Sequence, residues 1–144
     1  MAELTELEQV LPQEIEKRSF EIITQELGDR VLDEKQAPVI KRVIHTTADF
    51  DYADNLVFSP NVMELAWQAI REGAPIITDT NMGKSGINKK RLANYGSEVY
   101  CFMADEDVAE EARKHGITRA CASMDKAARL GLNGIFAIGN APTA

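Results

Sequence analysis

The segment APIITDTNMGKSG, residues 74–86, places a short apolar run before a polar loop that contains Gly-Lys-Ser. A P-loop also ends in Gly-Lys-Ser or Gly-Lys-Thr, and it needs an earlier glycine so that backbone amides can surround the phosphates. Thr78 occupies the position of that glycine, and Asp79 would put a carboxylate among the phosphates. The segment therefore does not predict a P-loop. The sequence also lacks the Gly-x-Gly-x-x-Gly fingerprint of dinucleotide binding.

Polar residues gather where two predicted strands end. Thr78, Asp79 and Lys84 follow the strand that begins at Ala74, and Gly139-Asn140 follows the last strand. Ligands of open α/β sheets bind beyond the carboxyl ends of the strands, so both segments are candidate ligand loops. We also expect a helix to open after Asn140, with an N-terminus suited to a ligand carboxylate.

Histidines and cysteines are the other residues with reactive side chains. His45 ends a predicted helix, where the residues alone favour a simple hydrogen bond to the backbone. His115 ends another helix in the sequence RKHG, and the helix dipole favours a cation there at the surface. Cys101 and Cys121 have no C-x-x-C pair or nearby histidine, so we expect two reduced, mostly buried thiols, with Cys101 inside a strand.

Composition limits the class of protein. The 144 residues are 44% hydrophobic, which suits one globular domain over residues 1–144. A net charge of −7 argues against nucleic acid or an anionic membrane as the main partner. The N-terminal stretch is charged throughout, unlike a signal peptide, and no run approaches the roughly 20 apolar residues that span a bilayer. These features predict a soluble, cytoplasmic protein.

Hydrophobic periodicity predicts helices that alternate with strands. Helices are predicted at residues 12–27, 33–47, 61–72, 87–95, 105–115 and 118–130, and strands at 74–78, 97–103 and 133–140. Asn61 is expected to cap the third helix and Trp67 to face its core. The order predicts an α/β fold with a layered, largely parallel sheet and flanking helices. Three strands leave an edge or face uncovered, so we expect an oligomeric partner, or a part that is absent here, to complete the sheet.

Several blocks of the sequence match one known family in the same order. The blocks are IEKRSFEII, VIHTTADFDYADNLVFSP, GAPIITDTNMGKSGI, EVYCFMAD, ITRACASM and IFAIGNAPTA. Together they resemble the precorrin-8 methylmutases of cobalamin biosynthesis, that is, precorrin-8X methylmutase and cobalt-precorrin-8 methylmutase. The resemblance extends from about residue 16 to residue 144.

The resemblance implies an activity and its principal catalyst. Family members are isomerases that move a methyl group from C11 to C12 of a precorrin-8-type tetrapyrrole, without a cofactor, a metal or redox chemistry. They are α/β proteins that work as dimers, so a homodimer or higher homo-oligomer is expected, with active sites near the subunit interface. His45 falls on the catalytic histidine of the family. Histidine suits a general acid because an imidazole exchanges its proton near neutral pH.

The resemblance also assigns residues to substrate binding. Ser19 and Arg119 match positions that contact the macrocycle or its carboxylates, which a hydroxyl or a guanidinium can hold. The ligand-side loops would be lined by Thr78, Asp79, Met82, Lys84 and Asn140, with Thr143 close by. For Ser19, Arg119 and Lys84 the alternative is an ordinary solvated side chain, and for Asn140 it is helix capping.

Family members continue beyond the GNAPTA block. They add a helix, a strand with a Pro-Val-Gly-Phe-Val motif and a glycine-rich segment. Three explanations could account for the lack of these elements here: the protein is truncated, it is divergent or split, or an oligomeric partner completes it. Two other functions therefore stay open: a non-catalytic, tetrapyrrole-binding remnant of the family, and an unrelated α/β hydrolase or nucleotide binder. The missing nucleophile elbow and the failed P-loop argue against the last. No motif indicates whether the substrate carries cobalt.

Overall fold

A computed structural model describes residues 11–144. The chain forms two compact units, one ending at Pro60 and the other spanning Asn61–Ala144, and each is described by itself. The single-domain assignment stays a prediction. Most of the N-terminal stretch that we compared with signal peptides lies outside the described residues. Within them, no helix is both long and apolar enough to cross a membrane.

The first unit is helical. A 3-10 turn at Pro12–Glu14 leads into α1 (Ile15–Leu27), followed by α2 (Ala37–Thr47) and the one-turn helix α3 (Tyr52–Asn55). Gly28 adopts a positive φ of 58° directly after α1, a conformation that glycine accepts without steric cost. The side chains of Ile23, Leu27, Ile40 and Ile44 form the buried core between α1 and α2.

Both long helices of this unit were predicted, and one detail was wrong. The segment TADFDYADN was expected to be only a loop, but α3 forms within it. Helix α2 ends at Thr47 because Ala48 turns into the left-handed region at φ 55°. Two turns of α2 therefore bury Ile40 and Ile44, which lie four residues apart on one face, and place His45 beside that face in the last turn.

The second unit alternates helices and strands. Its elements, in chain order, are α4 (Val62–Arg71), β1 (Ile76–Thr78), α5 (Asn81–Gly86), α6 (Lys89–Ala93), β2 (Val99–Tyr100), α7 (Glu106–His115), α8 (Arg119–Arg129) and β3 (Ile135–Ala137). The strands pair in parallel in the order β2-β1-β3. The predicted α/β fold with a parallel sheet and flanking helices is confirmed. Ile77 of the central strand packs with Val108 of α7 and Ala122 of α8 in the main core of this unit.

The backbone segments that lead into β1 and β3 approach each other so closely that residue 134 must be glycine. The Ile135 amide donates to the Pro75 carbonyl at 2.9 Å. A Cβ on the preceding residue, Gly134, would overlap that same carbonyl oxygen. The register of β1 against β3, with Thr78 opposite Ala137, therefore depends on the missing side chain at residue 134.

Four local predictions were wrong. The loop after β1 contains α5, because the Thr80 hydroxyl accepts a hydrogen bond from the Gly83 amide at 3.1 Å and opens a helix. Asn61 precedes α4 with φ 59°, and the described structure shows no capping bond from its side chain. Trp67 is 53% exposed, and the Arg71 guanidinium lies 5.2 Å from its ring centroid. Cys101 follows β2 instead of lying inside it, and both cysteines are free and half-buried.

Candidate functional site

In the first unit, α1 and α2 bring His45 and Ser19 together. The His45 Nδ1 and the Ser19 Oγ lie 3.0 Å apart, across 26 residues of sequence. Both side chains are half-buried, so water competes only partly with their hydrogen bond. The contact holds the imidazole by Nδ1, and Nε2 is the ring nitrogen that this bond does not engage.

Phe20 and Arg42 extend this contact into a stack. The Phe20 ring lies parallel to the His45 ring, with centroids 5.3 Å apart and an interplanar angle of 23°. The Arg42 guanidinium carbon lies 4.7 Å from the Phe20 centroid, within the range of a cation–π contact. Glu16 pairs with Arg42 at 2.6 Å. The imidazole is thus held at its edge by a hydroxyl and on one face by a phenyl ring.

This arrangement can orient a proton donor. A hydrogen bond to one ring nitrogen fixes the direction of the other, and a stacked ring restricts rotation of the imidazole. The Arg42–Glu16 ion pair has both side chains more than half exposed, so it adds little to stability. The ion pair instead helps to hold the Arg42 guanidinium over the Phe20 ring. His45 can therefore present Nε2 in one direction to a ligand.

In the second unit, Asp79 connects the ends of β1 and β3. Its Oδ2 accepts hydrogen bonds from the amides of Gly139 at 3.2 Å, Asn140 at 2.8 Å and Ala141 at 2.7 Å. The residue is only 2% exposed. The Asn140 amide is the largest influence that lowers the pKa of Asp79 below its ordinary value, and with the other amides it outweighs the opposing effect of burial. The carboxylate is therefore held in its ionised form.

A groove lies beside this carboxylate. It measures about 460 Å³ and is lined by Asp79, Thr80, Met82, Gly83, Ala137, Ile138, Gly139 and Asn140. Thr78, which precedes Asp79 in the chain, is 1% exposed, and its hydroxyl donates to the Thr80 carbonyl at 2.9 Å. Met82 is 81% exposed. The groove thus combines an exposed apolar thioether with polar groups at the carboxyl ends of β1 and β3.

A second tie holds the segment after β3. The hydroxyls of Thr118 and Thr143 lie 2.7 Å apart. The Thr118 hydroxyl also accepts a hydrogen bond from the Cys121 amide at 3.1 Å and so caps α8. Arg119, the first residue of α8, is exposed next to this cap.

The structure unites some of the predicted site residues and separates others. His45 contacts Ser19 in the first unit, and in the second unit Asp79, Met82 and Asn140 line one groove, whereas Thr78 is buried and is not among the residues that line it. Lys84 is half-buried on α5 and Arg119 is exposed on α8, and neither lines that groove. The amides of residues 139–141, expected to open a helix toward a ligand, donate to Asp79 instead, and residues 139–144 form a bend and a short turn with no helix.

Sequence reasoning missed Phe20 and Arg42 as parts of the site. Phe20 appeared only within the block IEKRSFEII, with no role of its own, and Arg42 was not considered. One signal was present, since Arg42 and His45 are three residues apart and so share a face of α2. The partner of that face could not be found from spacing, because α1 and α2 meet through tertiary packing. Among the described residues, no group of three or more His, Cys, Asp or Glu side chains is arranged to hold a metal ion.

Comparison with known proteins identifies the family. The sequence profile described as "Precorrin-8X methylmutase" matches residues 14–144. The chain belongs to the precorrin-8X methylmutase family. It is 44% identical over 135 residues to the cobalt-precorrin-8 methylmutase of Priestia megaterium, an alignment that covers 94% of this chain and 60% of that protein. It is 45% identical over 139 residues to the cobalt-precorrin-8 methylmutase of Salmonella typhimurium, an alignment that covers 92% of this chain and 66% of that protein.

A solved member of the precorrin-8X methylmutase family has the same fold. The crystal structure of the precorrin-8X methylmutase from Thermus thermophilus superposes with a TM-score of 0.81 at 39% identity, over 91% of this chain and 64% of that one. The chain therefore spans somewhat less than two thirds of the length of these relatives. The predicted family membership is confirmed.

Proposed function

We propose that this protein is an isomerase that moves a methyl group from C11 to C12 of a precorrin-8-type tetrapyrrole in cobalamin biosynthesis. Membership of the precorrin-8X methylmutase family is the observation that carries the proposal. The orientation of His45 by Ser19 and Phe20 supports it, because the reaction needs a placed proton donor.

In the proposed reaction, His45 acts as the general acid. Its imidazolium donates a proton from Nε2 to the macrocycle, and the bond from the methyl carbon to C11 breaks as the bond to C12 forms. Substrate and product are isomers, so the proton returns to the enzyme or to solvent before the product leaves. The step is redox-neutral and transfers the group within one molecule.

The remaining residues have proposed roles in binding. Arg119 presents an exposed guanidinium that can clamp a substrate carboxylate through two hydrogen bonds. Lys84 offers a second cation, while Met82 and Asn140 offer apolar and amide contacts from the groove. Ser19 is proposed to orient His45 as well as to face the macrocycle, since its hydroxyl lies within hydrogen-bonding distance of Nδ1.

We further propose a cytoplasmic homodimer or higher homo-oligomer that takes the cobalt-containing substrate. The relatives from Priestia megaterium and Salmonella typhimurium are both named cobalt-precorrin-8 methylmutases, which favours a metallated macrocycle. Strand β3 is an edge strand, and its Phe136 is 44% exposed, with Ile138 45% exposed just beyond it. Coverage of these apolar side chains favours association.

Spectroscopic titration and single turnover test the function. The corrinoid product is titrated into the protein while its visible spectrum is recorded, and excess protein is then mixed with cobalt-precorrin-8 or with precorrin-8. The proposal predicts saturable binding and conversion, faster with the cobalt form. Binding without conversion would favour a tetrapyrrole-binding remnant instead. No binding and no conversion would refute the proposal.

A further inference from the structure

The three amides that follow β3 form a site for an anion, and the protein fills this site itself. Consecutive backbone N–H groups of residues 139–141 converge on one oxygen of Asp79. Such converging amides usually bind phosphate or carboxylate ligands. Here they are occupied by a side chain 60 to 62 residues away in the sequence, at the end of the neighbouring strand.

We propose that Asp79 is a positioning residue and not a contact of the substrate: its carboxylate acts as an internal anion that fixes the 139–141 segment as a wall of the groove. The identity of the groove's ligand rests on the proposed function. The positioning role rests on the contacts within the second unit alone.

The burial of Asp79 and the exposure of the segment that it holds support this assignment. Asp79 borders the groove, but it is only 2% exposed, and its Oδ2 already accepts hydrogen bonds from three backbone amides. A further carboxylate in contact with the proposed substrate would also repel the carboxylates that the macrocycle is expected to carry. By contrast, Gly139 and Asn140 are exposed and line the groove, so the Asn140 side chain can reach a ligand while its amide is held from behind. Asp79 therefore acts on the ligand through this segment.

The segment is secured at two points, which explains how one carboxylate can set its shape. Asp79 holds residues 139–141, and Thr118 holds Thr143 at 2.7 Å. Without the first tie, the hydroxyl pair of Thr118 and Thr143 still holds the far end of the segment. Neutral hydrogen bonds are weaker than those to an ion, so the Thr118–Thr143 pair cannot replace the three bonds to Asp79.

Amide hydrogen exchange tests the proposal without a ligand. In Asp79→Asn, the amides of residues 139–141 should exchange about tenfold faster, because a neutral amide group replaces the ionised acceptor and its hydrogen bonds are weaker. Amides in the middle of α7 and α8 should be unaffected. Asp125→Asn is the matched control, since it removes an exposed carboxylate of α8 in the same unit. Unchanged exchange at residues 139–141 in Asp79→Asn would overturn the proposal.

Chemical rescue separates positioning from a general structural role. Asp79→Gly leaves the three amides open to a small carboxylate, and we expect corrinoid affinity to fall about tenfold or more in this variant. Millimolar formate should then restore both the protection of the amides from exchange and the affinity for corrinoid. Failure of formate to slow exchange in this variant, or unaltered corrinoid affinity in both variants, would overturn the proposal. If the unaltered protein bound no corrinoid, the proposed function would fail, and exchange with formate rescue would still decide the role of Asp79.

Discussion

Replacing Phe20 with leucine should impair the protein mainly through His45. Leucine fills much of the same half-buried space on α1, but it removes the ring that stacks on the imidazole at 5.3 Å and supports Arg42 at 4.7 Å. An aromatic pair contributes about 0.5–1.5 kcal/mol beyond its buried area, and an exposed cation–π contact about 0.5–1 kcal/mol. If about 1–2 kcal/mol of these contact energies is lost from transition-state stabilisation because His45 is no longer oriented, kcat/KM should fall roughly 5- to 30-fold.

Two assays distinguish this effect from loss of fold. Turnover of cobalt-precorrin-8 reports catalysis, while the NMR signals of the His45 ring protons report the stacked phenyl ring through its ring-current shift. Phe20→Tyr is the matched control, because it keeps an aromatic ring at the same place. We expect Phe20→Leu to lose both the shift and most of the rate, with a modest drop in thermal stability that leaves the variant folded under the conditions of both assays. Unaltered His45 signals and unaltered turnover would refute the stack as a positioning device.

Two predictions concern the fold of the second unit. Gly134→Ala should destabilise it by roughly 2–3 kcal/mol in urea denaturation, because the new Cβ overlaps the Pro75 carbonyl, whereas Gly86→Ala, where the space is open, should be neutral or stabilising. Equal urea midpoints for both variants would contradict this account of the β1–β3 register. The pKa of Asp79 is lowered on folding, so its stabilisation is complete above its ordinary value of 3.8 and disappears as pH falls through the folded pKa. The stability gap between the unaltered protein and Asp79→Asn should therefore narrow on acidification from about pH 6 to pH 3, and a constant gap would contradict it.

Much of the fold could be predicted from the sequence because its signals are local. Gly28 and Gly116 terminate helices with positive φ, and the alternation of apolar strands with amphipathic helices indicates a parallel sheet. The prediction for Trp67 failed because helical periodicity shows which residues share a face, not what covers that face. The helix α5 was missed because the polar residues after β1 were interpreted as a loop, by comparison with a P-loop. The hydrogen bond from the Gly83 amide to the Thr80 hydroxyl, which caps α5, was not considered.

The candidate site was only partly predictable. His45 and Ser19 came from family resemblance, and their contact at 3.0 Å depends on how α1 packs on α2. The engagement of Asp79 with residues 139–141 could not be read from the sequence, because it joins segments about 60 residues apart. A strand that ends in polar residues indicates a candidate ligand loop, but only the folded backbone shows whether those residues face a ligand or each other.

Single turnover by His45→Ala tests the central claim most directly. Excess protein is mixed with cobalt-precorrin-8 and the visible spectrum is followed, and affinity for the corrinoid product is measured in parallel. The account predicts that the variant loses conversion almost completely but binds the product nearly as tightly as the unaltered protein. Conversion by His45→Ala at the rate of the unaltered protein would show that His45 is not the general acid.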